Sequence, residues 1–200
     1  ASETNIVEAT PDPNRRITAI VLDDSGSMGS DIDAAKQAVV EALASMAAKD
    51  RVAVIALNAG VVLPFTTVTD APALLQQALA PIRDGGNTPL TGALRKAQAL
   101  LEEEASAVRG FGSFRVIVTT DGAANDGVAL NEAVENLART TPIQIATIGI
   151  GIQGGHVLRR SDLGTFVDVA NVSALKDALQ AAIAENADFN AITNFIDPEG

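Results

Sequence analysis

Short apolar runs that alternate with helical stretches constrain the fold of this chain more than any other feature of its sequence. Residues 17–22 are almost continuously apolar, as expected of a strand that is buried on both faces of a sheet. A sheet of such strands needs helices on both faces. The alternation therefore predicts the α/β class: a doubly wound, Rossmann-like three-layer sandwich with a mostly parallel central sheet and one antiparallel edge strand.

The remaining elements follow from the same patterns. Ser30 opens a helix, with Asp33 placed close to a capping box, and an apolar stripe runs on to Met46. Residues 61–67 follow a brief Asn-Ala-Gly turn, which favours a hairpin and makes this run the expected antiparallel strand. The other predicted strands are 52–57, 114–119, 143–150 and 164–169, and the other predicted helices are 71–80, 90–101, 128–137 and 173–185.

The composition excludes several classes of function. The 25 acidic and 14 basic side chains give a net charge of −11, which argues against nucleic-acid binding because a phosphate backbone needs a basic face. There is no cysteine and a single histidine, His156, so zinc sites built on thiolates or on several imidazoles are excluded. No apolar run reaches the roughly 18 residues that span a bilayer, so we expect no direct membrane insertion.

The 200 residues predict one domain with linker-like ends. Residues 1–14 are polar and proline-containing, and residues 188–200 end in Asp-Pro-Glu-Gly. We expect the folded domain to span residues 15–187 and the chain to be a segment of a larger protein.

Three polar segments follow predicted strands or precede a helix, at 23–28, 86–90 and 119–122. In an open α/β sheet, ligands bind outside the carboxyl ends of the strands, so we expect these segments to meet. They offer two carboxylates and three hydroxyls: Asp23, Asp121, Ser25, Ser27 and Thr88.

This oxygen set suits a hard divalent cation. Mg²⁺ prefers oxygen ligands in octahedral geometry and is the expected ion, with Mn²⁺ or Ca²⁺ able to substitute. Two carboxylates and neutral hydroxyls leave the metal able to take one more anionic ligand. The residues therefore predict a site that recruits an Asp or Glu carboxylate from a protein partner.

The Asp-x-Ser-x-Ser after the first strand, the threonine in a later glycine-rich loop and the Thr-Asp-Gly after a middle strand resemble the von Willebrand factor type A (VWA) domain, over about residues 15–187. The resemblance implies a complete metal-ion-dependent adhesion site (MIDAS). Ser25, Ser27 and Thr88 would bind the metal directly, and Asp23 and Asp121 would bind it directly or through water. In integrin-like members, metal binding is coupled to a shift of the C-terminal helix. Two features depart from the family: the charged Asp24, and the short helical segment after residues 143–150.

The leading hypothesis is a non-catalytic, metal-dependent protein-binding module. Partner specificity would come from a rim whose candidates are Asp24, Met28, Asn87 and Asp126, although Met28 could equally face the core. The linker-like ends favour a segment of a larger adhesin-like or surface protein, in an extracellular or cell-surface location, over a cytoplasmic one.

Two other functions are weighed against this one. The first is an intracellular VWA subunit that docks on an AAA+ ATPase of chelatase or chaperone type. The second is a Rossmann-like enzyme that uses Gly149–Gly154, a formal Gly-x-Gly-x-x-Gly followed by the acid Asp168. A dinucleotide site needs a full helix directly after the glycines, so we expect this segment to be a tight loop with positive φ.

Three further residues or motifs are interpreted as structural. His156 is expected to be a solvated loop residue, since no partner that would make it a catalytic base is evident. The run 102–104 of three glutamates is expected to be a solvated helix face. Ser173, within a formal glycosylation sequon that begins at Asn171, is expected to cap the last helix.

Overall fold

The computed structural model describes residues 14–185. Almost all of both linker-like ends lies outside the described residues. One six-stranded sheet forms the centre, in the order β3-β2-β1-β4-β5-β6, and β3 is its antiparallel edge strand. The strands are β1 Arg16–Leu22, β2 Arg51–Ala56, β3 Gly60–Thr67, β4 Ser113–Thr120, β5 Gln144–Ile150 and β6 Thr165–Val169. The predicted fold class is confirmed.

Five α-helices cover the sheet within the described residues. They are α1 Asp31–Ala42, α2 Ala71–Leu79, α3 Leu90–Ala107, α4 Gly127–Thr140 and α5 Leu175–Ala184. Short 3₁₀ turns lie at Gly26–Met28, Leu43–Ser45 and Val172–Ala174. None of the helices in residues 14–185 has the length and apolar character needed to cross a membrane.

The two faces of the sheet bury separate hydrophobic clusters. Ile20 and Leu22 of β1 pack with α1, α2 and α5, whereas Ala19 and Val21 pack with α3 and α4 on the opposite face. Because successive side chains of a strand point to opposite faces, each face needs its own apolar residues. This explains the almost continuous apolar run in the sequence.

The structure corrects three local expectations. Ser30 precedes α1 but makes no capping hydrogen bond, and Asp33 pairs with Lys36 at 3.3 Å. Glu104 is not solvated, because its side chain is largely buried and accepts a hydrogen bond from Arg51 Nε at 2.5 Å. Ser173 does not cap the last helix: Asn171 accepts from the Ser173 N–H and caps the 3₁₀ turn Val172–Ala174, and the residue before α5 is Ala174.

Candidate metal centre

Two adjacent parallel strands bring the two predicted carboxylates together. β1 and β4 pair in register from Arg16 to Val21, so their carboxyl ends meet at one edge of the sheet. Asp23 follows β1 and is completely buried, and Asp121 follows β4. The Asp121 N–H donates to Asp23 Oδ2 at 3.1 Å, which joins the two loops directly.

The serines extend this pair into one hydrogen-bonded group of oxygens. Ser27 Oγ donates to Asp121 Oδ1 at 2.7 Å, and Ser25 Oγ lies 3.0 Å from Ser27 Oγ. The Ser25 N–H donates to Asp23 Oδ1 at 2.9 Å. Ser25 is buried whereas Ser27 is exposed, so the group opens to solvent on the Ser27 side. Four of the five predicted ligands therefore belong to one cluster.

The loop that carries Thr88 is tied to the same edge on both of its sides. Gly26 N–H donates to the Gly86 carbonyl at 3.2 Å. On the other side, Thr88 N–H donates to Asn125 Oδ1 at 2.6 Å, and Asn125 N–H donates back to the Thr88 carbonyl at 3.3 Å. The threonine backbone thus lies between the loops that follow β1 and β4.

Asp121 has the electrostatics of a carboxylate without a basic neighbour. Burial raises the pKa of Asp121, the Ser27 hydrogen bond lowers it, and the nearby Asp23 charge raises it again. No basic side chain contributes to this shift. The shift has the sign expected of a carboxylate that lacks a compensating positive charge.

The donor set fits a hard divalent cation. The converging atoms are hydroxyl and carboxylate oxygens, which Mg²⁺, Mn²⁺ and Ca²⁺ all accept. Within residues 14–185 there is no group of three or more His, Cys, Asp or Glu side chains that could hold a metal. Any metal here would therefore depend on the hydroxyls in addition to two carboxylates.

The four rim candidates divide into two pairs. Asn87 and Asp126 are exposed, and Asp126 Oδ1 accepts from Thr91 Oγ1 at 3.0 Å. Asp24 and Met28 are only 2% and 3% exposed, so the expected partner contact of the Asp24 side chain is wrong, and of the two alternatives for Met28 the core position is the one observed. The 3₁₀ turn at Gly26–Met28 directs Met28 into the core under α1.

The sequence predicted that His156 would be a solvated loop residue, and this prediction is wrong. His156 instead supports the loop that carries Asp121. Its Nε2 lies 3.0 Å from the Gly122 carbonyl, and its Nδ1 accepts from the Leu158 N–H at 3.0 Å. This pair of contacts requires the neutral tautomer with the proton on Nε2. Burial lowers the pKa of His156, which favours that neutral form.

The Gly149–Gly154 segment lacks the features of a dinucleotide site. No helix follows the glycines, because residues 151–164 form an irregular loop. Gly151 and Gly154 have φ values of +63° and +92°, as expected of a tight loop. The carboxylate of Asp168, which would have to bind a ribose, is held by both terminal nitrogens of Arg159.

Sequence reasoning missed the residues that hold the loops together, which include Asn58, Asn125 and His156. Each lies far along the chain from the motif that it contacts. Asn58 and Asn125 stand in turn-like sequence, where asparagine is common for other reasons.

The sequence of residues 18–123 matches the family model of the von Willebrand factor type A domain. The match covers more than half of the chain, and the protein belongs to this family. Domains of the family are generally protein–protein interaction modules, some of them metal-dependent, and are not generally enzymes.

Solved structures with the same fold support this assignment. A von Willebrand factor type A protein from Catenulispora acidiphila superposes with a TM-score of 0.72 at 21% identity, over 86% of this chain and 42% of that one. Proximal thread matrix protein 1 from the mussel byssus, with a zinc-occupied MIDAS motif, gives 0.68 at 20% identity, over 88% and 48%. Manganese-loaded TRAP protein of Plasmodium vivax gives 0.56 at 16% identity, over 84% and 74%.

The chain thus spans less than half of the length of the first two of these proteins. No curated protein sequence matches it. At these identities the likeness is one of fold.

Proposed function

We propose that this domain is a non-catalytic protein-binding module whose site holds a divalent cation that accepts a carboxylate from a partner. The observation that carries the proposal is the hydrogen-bonded oxygen group of Asp23, Ser25, Ser27 and Asp121 at the carboxyl edge of the sheet. Exogenous cations are favoured there because two close carboxylates have no basic partner in the group.

Each residue has a defined role in the proposed site. Ser25, Ser27 and Thr88 would bind the ion through their hydroxyls, and Asp23 and Asp121 would bind it directly or through water. Mg²⁺ is the proposed ion, and Mn²⁺ or Ca²⁺ would substitute. When bound, the ion would supply positive charge for an anionic oxygen. Asn87 and Asp126, exposed at this edge, would then contact the partner around the shared carboxylate.

The solved structures support the choice of a divalent cation. The mussel protein has zinc in its MIDAS motif, and the Plasmodium protein is manganese-loaded. We extend the proposal to a domain of residues 15–187 within a larger adhesin-like or surface protein, located outside the cell or on its surface.

Thermal unfolding during a Mg²⁺ titration tests the cation site. A ligand at 100 times its Kd stabilises the folded state by about 2.7 kcal/mol, and each kcal/mol raises Tm by about 2–4 °C for a domain of this size. We expect a rise in Tm for the wild type and none for Asp121→Ala. Asp33→Ala, which removes an exposed carboxylate on α1, is the matched control and should keep the full rise. A wild-type Tm that does not respond to Mg²⁺, Mn²⁺ or Ca²⁺ would refute the proposal.

A further inference from the structure

A buried carboxylate beside the proposed metal site organises a neighbouring turn. Asp24 is only 2% exposed and lies between Asp23 and Ser25, two of the proposed ligands. Its Oδ1 accepts from the Asn58 N–H at 2.8 Å and from Asn58 Nδ2 at 3.0 Å, and its Oδ2 accepts from the Ala59 N–H at 3.0 Å. The carboxylate therefore fixes the turn between β2 and β3 against the end of β1.

The Asn58 side chain passes this constraint to the loop that carries Thr88. Its Nδ2 has two hydrogens, and while one is donated to Asp24, the other is donated to the Asn87 carbonyl at 2.9 Å. Since Nδ2 donates to two acceptors, one amide group links the β1 loop to the residue directly before Thr88.

Gly86 packs against the same amide. Its φ is +77°, and a Cβ added there would lie 2.6 Å from Asn58 Oδ1. Only glycine combines this φ with so close an approach to the asparagine. The Gly86 carbonyl accepts from Gly26 N–H, and the Asp24 carbonyl accepts from Gly85 N–H at 2.9 Å. The three residues before Thr88 are therefore each held by one hydrogen bond, to Asp24, Gly26 and Asn58 in turn.

We propose that Asn58, held by the buried Asp24, is a positioning residue that presents Thr88 to the metal site; this inference rests on the proposed cation function. The hydrogen bonds that Asp24 accepts from Asn58 and Ala59 would be enough to stabilise the turn alone. The additional bond to Asn87 and the fit of Gly86 serve the Thr88 loop. Asp24 thus acts through the loop beneath the site instead of contacting the partner.

The test compares Asn58→Ala with a matched control at the other end of the sheet. Asp50 is also a buried carboxylate, 1% exposed, whose two oxygens accept from the N–H groups of Arg16 and Ala47. Asp50→Asn disturbs a comparable site before β2, far from Thr88. Asn58→Ser provides a milder second variant if Asn58→Ala folds poorly. Thr88→Val removes the ligand hydroxyl and leaves Asn58 in place.

Two measurements are made on every variant. Amide hydrogen exchange in EDTA reports whether the N–H groups of Gly26 and Gly85 stay protected, independently of any metal. Calorimetry with Mg²⁺ reports the Kd. We expect Asn58→Ala to lose the protection and to weaken Mg²⁺ binding by roughly tenfold to hundredfold, as for other residues that orient metal ligands. Thr88→Val should weaken binding with protection unchanged, and Asp50→Asn should change the Kd by no more than about twofold.

The outcomes separate this inference from the proposed function. Unchanged protection in both Asn58 variants would overturn the positioning role, and so would lost protection with an unchanged Kd. A wild type that binds no Mg²⁺, Mn²⁺ or Ca²⁺ would overturn the cation function and the role of Asn58 in it. In that case the exchange data alone would decide whether Asn58 holds the loop.

Discussion

The two ends of the parallel strands, called here the amino edge and the carboxyl edge of the sheet, bury charge in different ways. At the amino edge, where β2, β4 and β5 begin, arginines are matched to oxygens. Arg115 is 5% exposed and donates to Gln144 Oε1 and to the Glu185 carbonyl, both at 2.8 Å, and to the last carbonyls of α5. Arg51 pairs with Glu104 nearby. Positive charge is built into this edge by the chain itself.

At the carboxyl edge the buried charges are carboxylates, and their partners are neutral. Asp23 accepts from Ser25 N–H, Thr120 Oγ1 and Asp121 N–H, and Asp24 accepts from the β2–β3 turn. Both are almost fully buried. Buried ions are normally paired with an opposite charge. The amino edge thus holds buried positive charge of its own beside the buried carboxylate of Asp50, whereas Asp23 and Asp24 accept only from neutral groups. This difference is the one expected if the carboxyl edge takes the cation proposed above.

The largest expected effect comes from breaking the amino edge. Arg115→Met leaves the carbonyls at the end of α5 without a charged donor, and we expect the free energy of unfolding to fall by about 3 kcal/mol. The Tm would fall by about 6–12 °C. The rise in Tm on adding Mg²⁺ should be unchanged, because the two edges act independently.

Arg139→Met is the control for this variant, since Arg139 is an exposed arginine whose distance to Glu135 is 3.7 Å. Exposed pairs of this kind contribute at most about 1 kcal/mol. Chemical denaturation measures the free energy of unfolding of both variants. If the two values were equal, the stability of the amino edge would not depend on its buried arginine.

A smaller effect is expected from removing charge at the carboxyl edge in EDTA. The pKa of folded Asp121 is raised above its ordinary value of 3.8, mainly by burial, so folding favours the protonated form. Stability therefore falls as pH rises from about 3.8 through the folded pKa, and the ionised carboxylate destabilises the metal-free protein at pH 7. We expect Asp121→Asn to melt above the wild type at pH 7 and to lose this advantage at pH 3.

The pKa of Asp162 is shifted in the opposite direction to that of Asp121, which allows a comparison. Hydrogen bonds from Arg160 lower the pKa of Asp162, so its ionised form stabilises the fold at neutral pH. Asp162→Asn should therefore lower the Tm at pH 7. If the Tm values of both variants, measured from pH 3 to 7 in EDTA, shifted in the same direction, the opposite charge environments of Asp121 and Asp162 would be contradicted.

The fold could be predicted from the sequence because its elements are encoded locally. The apolar run 17–22 and the hairpin turn before β3 each specify an element from adjacent residues. The segment 151–164 is different, since its packing depends on long-range contacts such as Val157 against Gly127. A helical segment was expected there and none forms, because no local periodicity specified it.

The candidate site was only partly predictable, for the same reason. Ser25, Ser27 and Asp23 lie within one short motif whose spacing indicates convergence. The loop contacts made by Asn58 and Asn125 join residues 29 to 37 positions apart, and no spacing in the sequence marks them. Met28 faces the interior because of a 3₁₀ turn that the sequence did not reveal, and Asp24 does so because it accepts hydrogen bonds from the distant Asn58 and Ala59.

The smallest expected effect concerns His156, which contacts the Asp121 loop but brings no positive charge to it. Burial lowers its pKa below the ordinary value of 6.5, the nearby Arg159 charge lowers it further, and the bond to Gly122 opposes both. As pH falls below about 6.5 the unfolded chain takes up a proton before the folded one, so stability is full above this pH and declines below it.

His156→Gln can still donate to the Gly122 carbonyl and does not titrate in this range. In EDTA, we therefore expect its Tm to decline less than the wild-type Tm between pH 7 and pH 5. Carboxylates that titrate near pH 5 affect both proteins equally, so the difference between the two curves isolates the histidine. Parallel curves of Tm against pH for the two proteins would mean that protonated His156 is tolerated beside Gly122. The carboxyl edge would then hold a positive charge of its own, and its contrast with the amino edge would be lost.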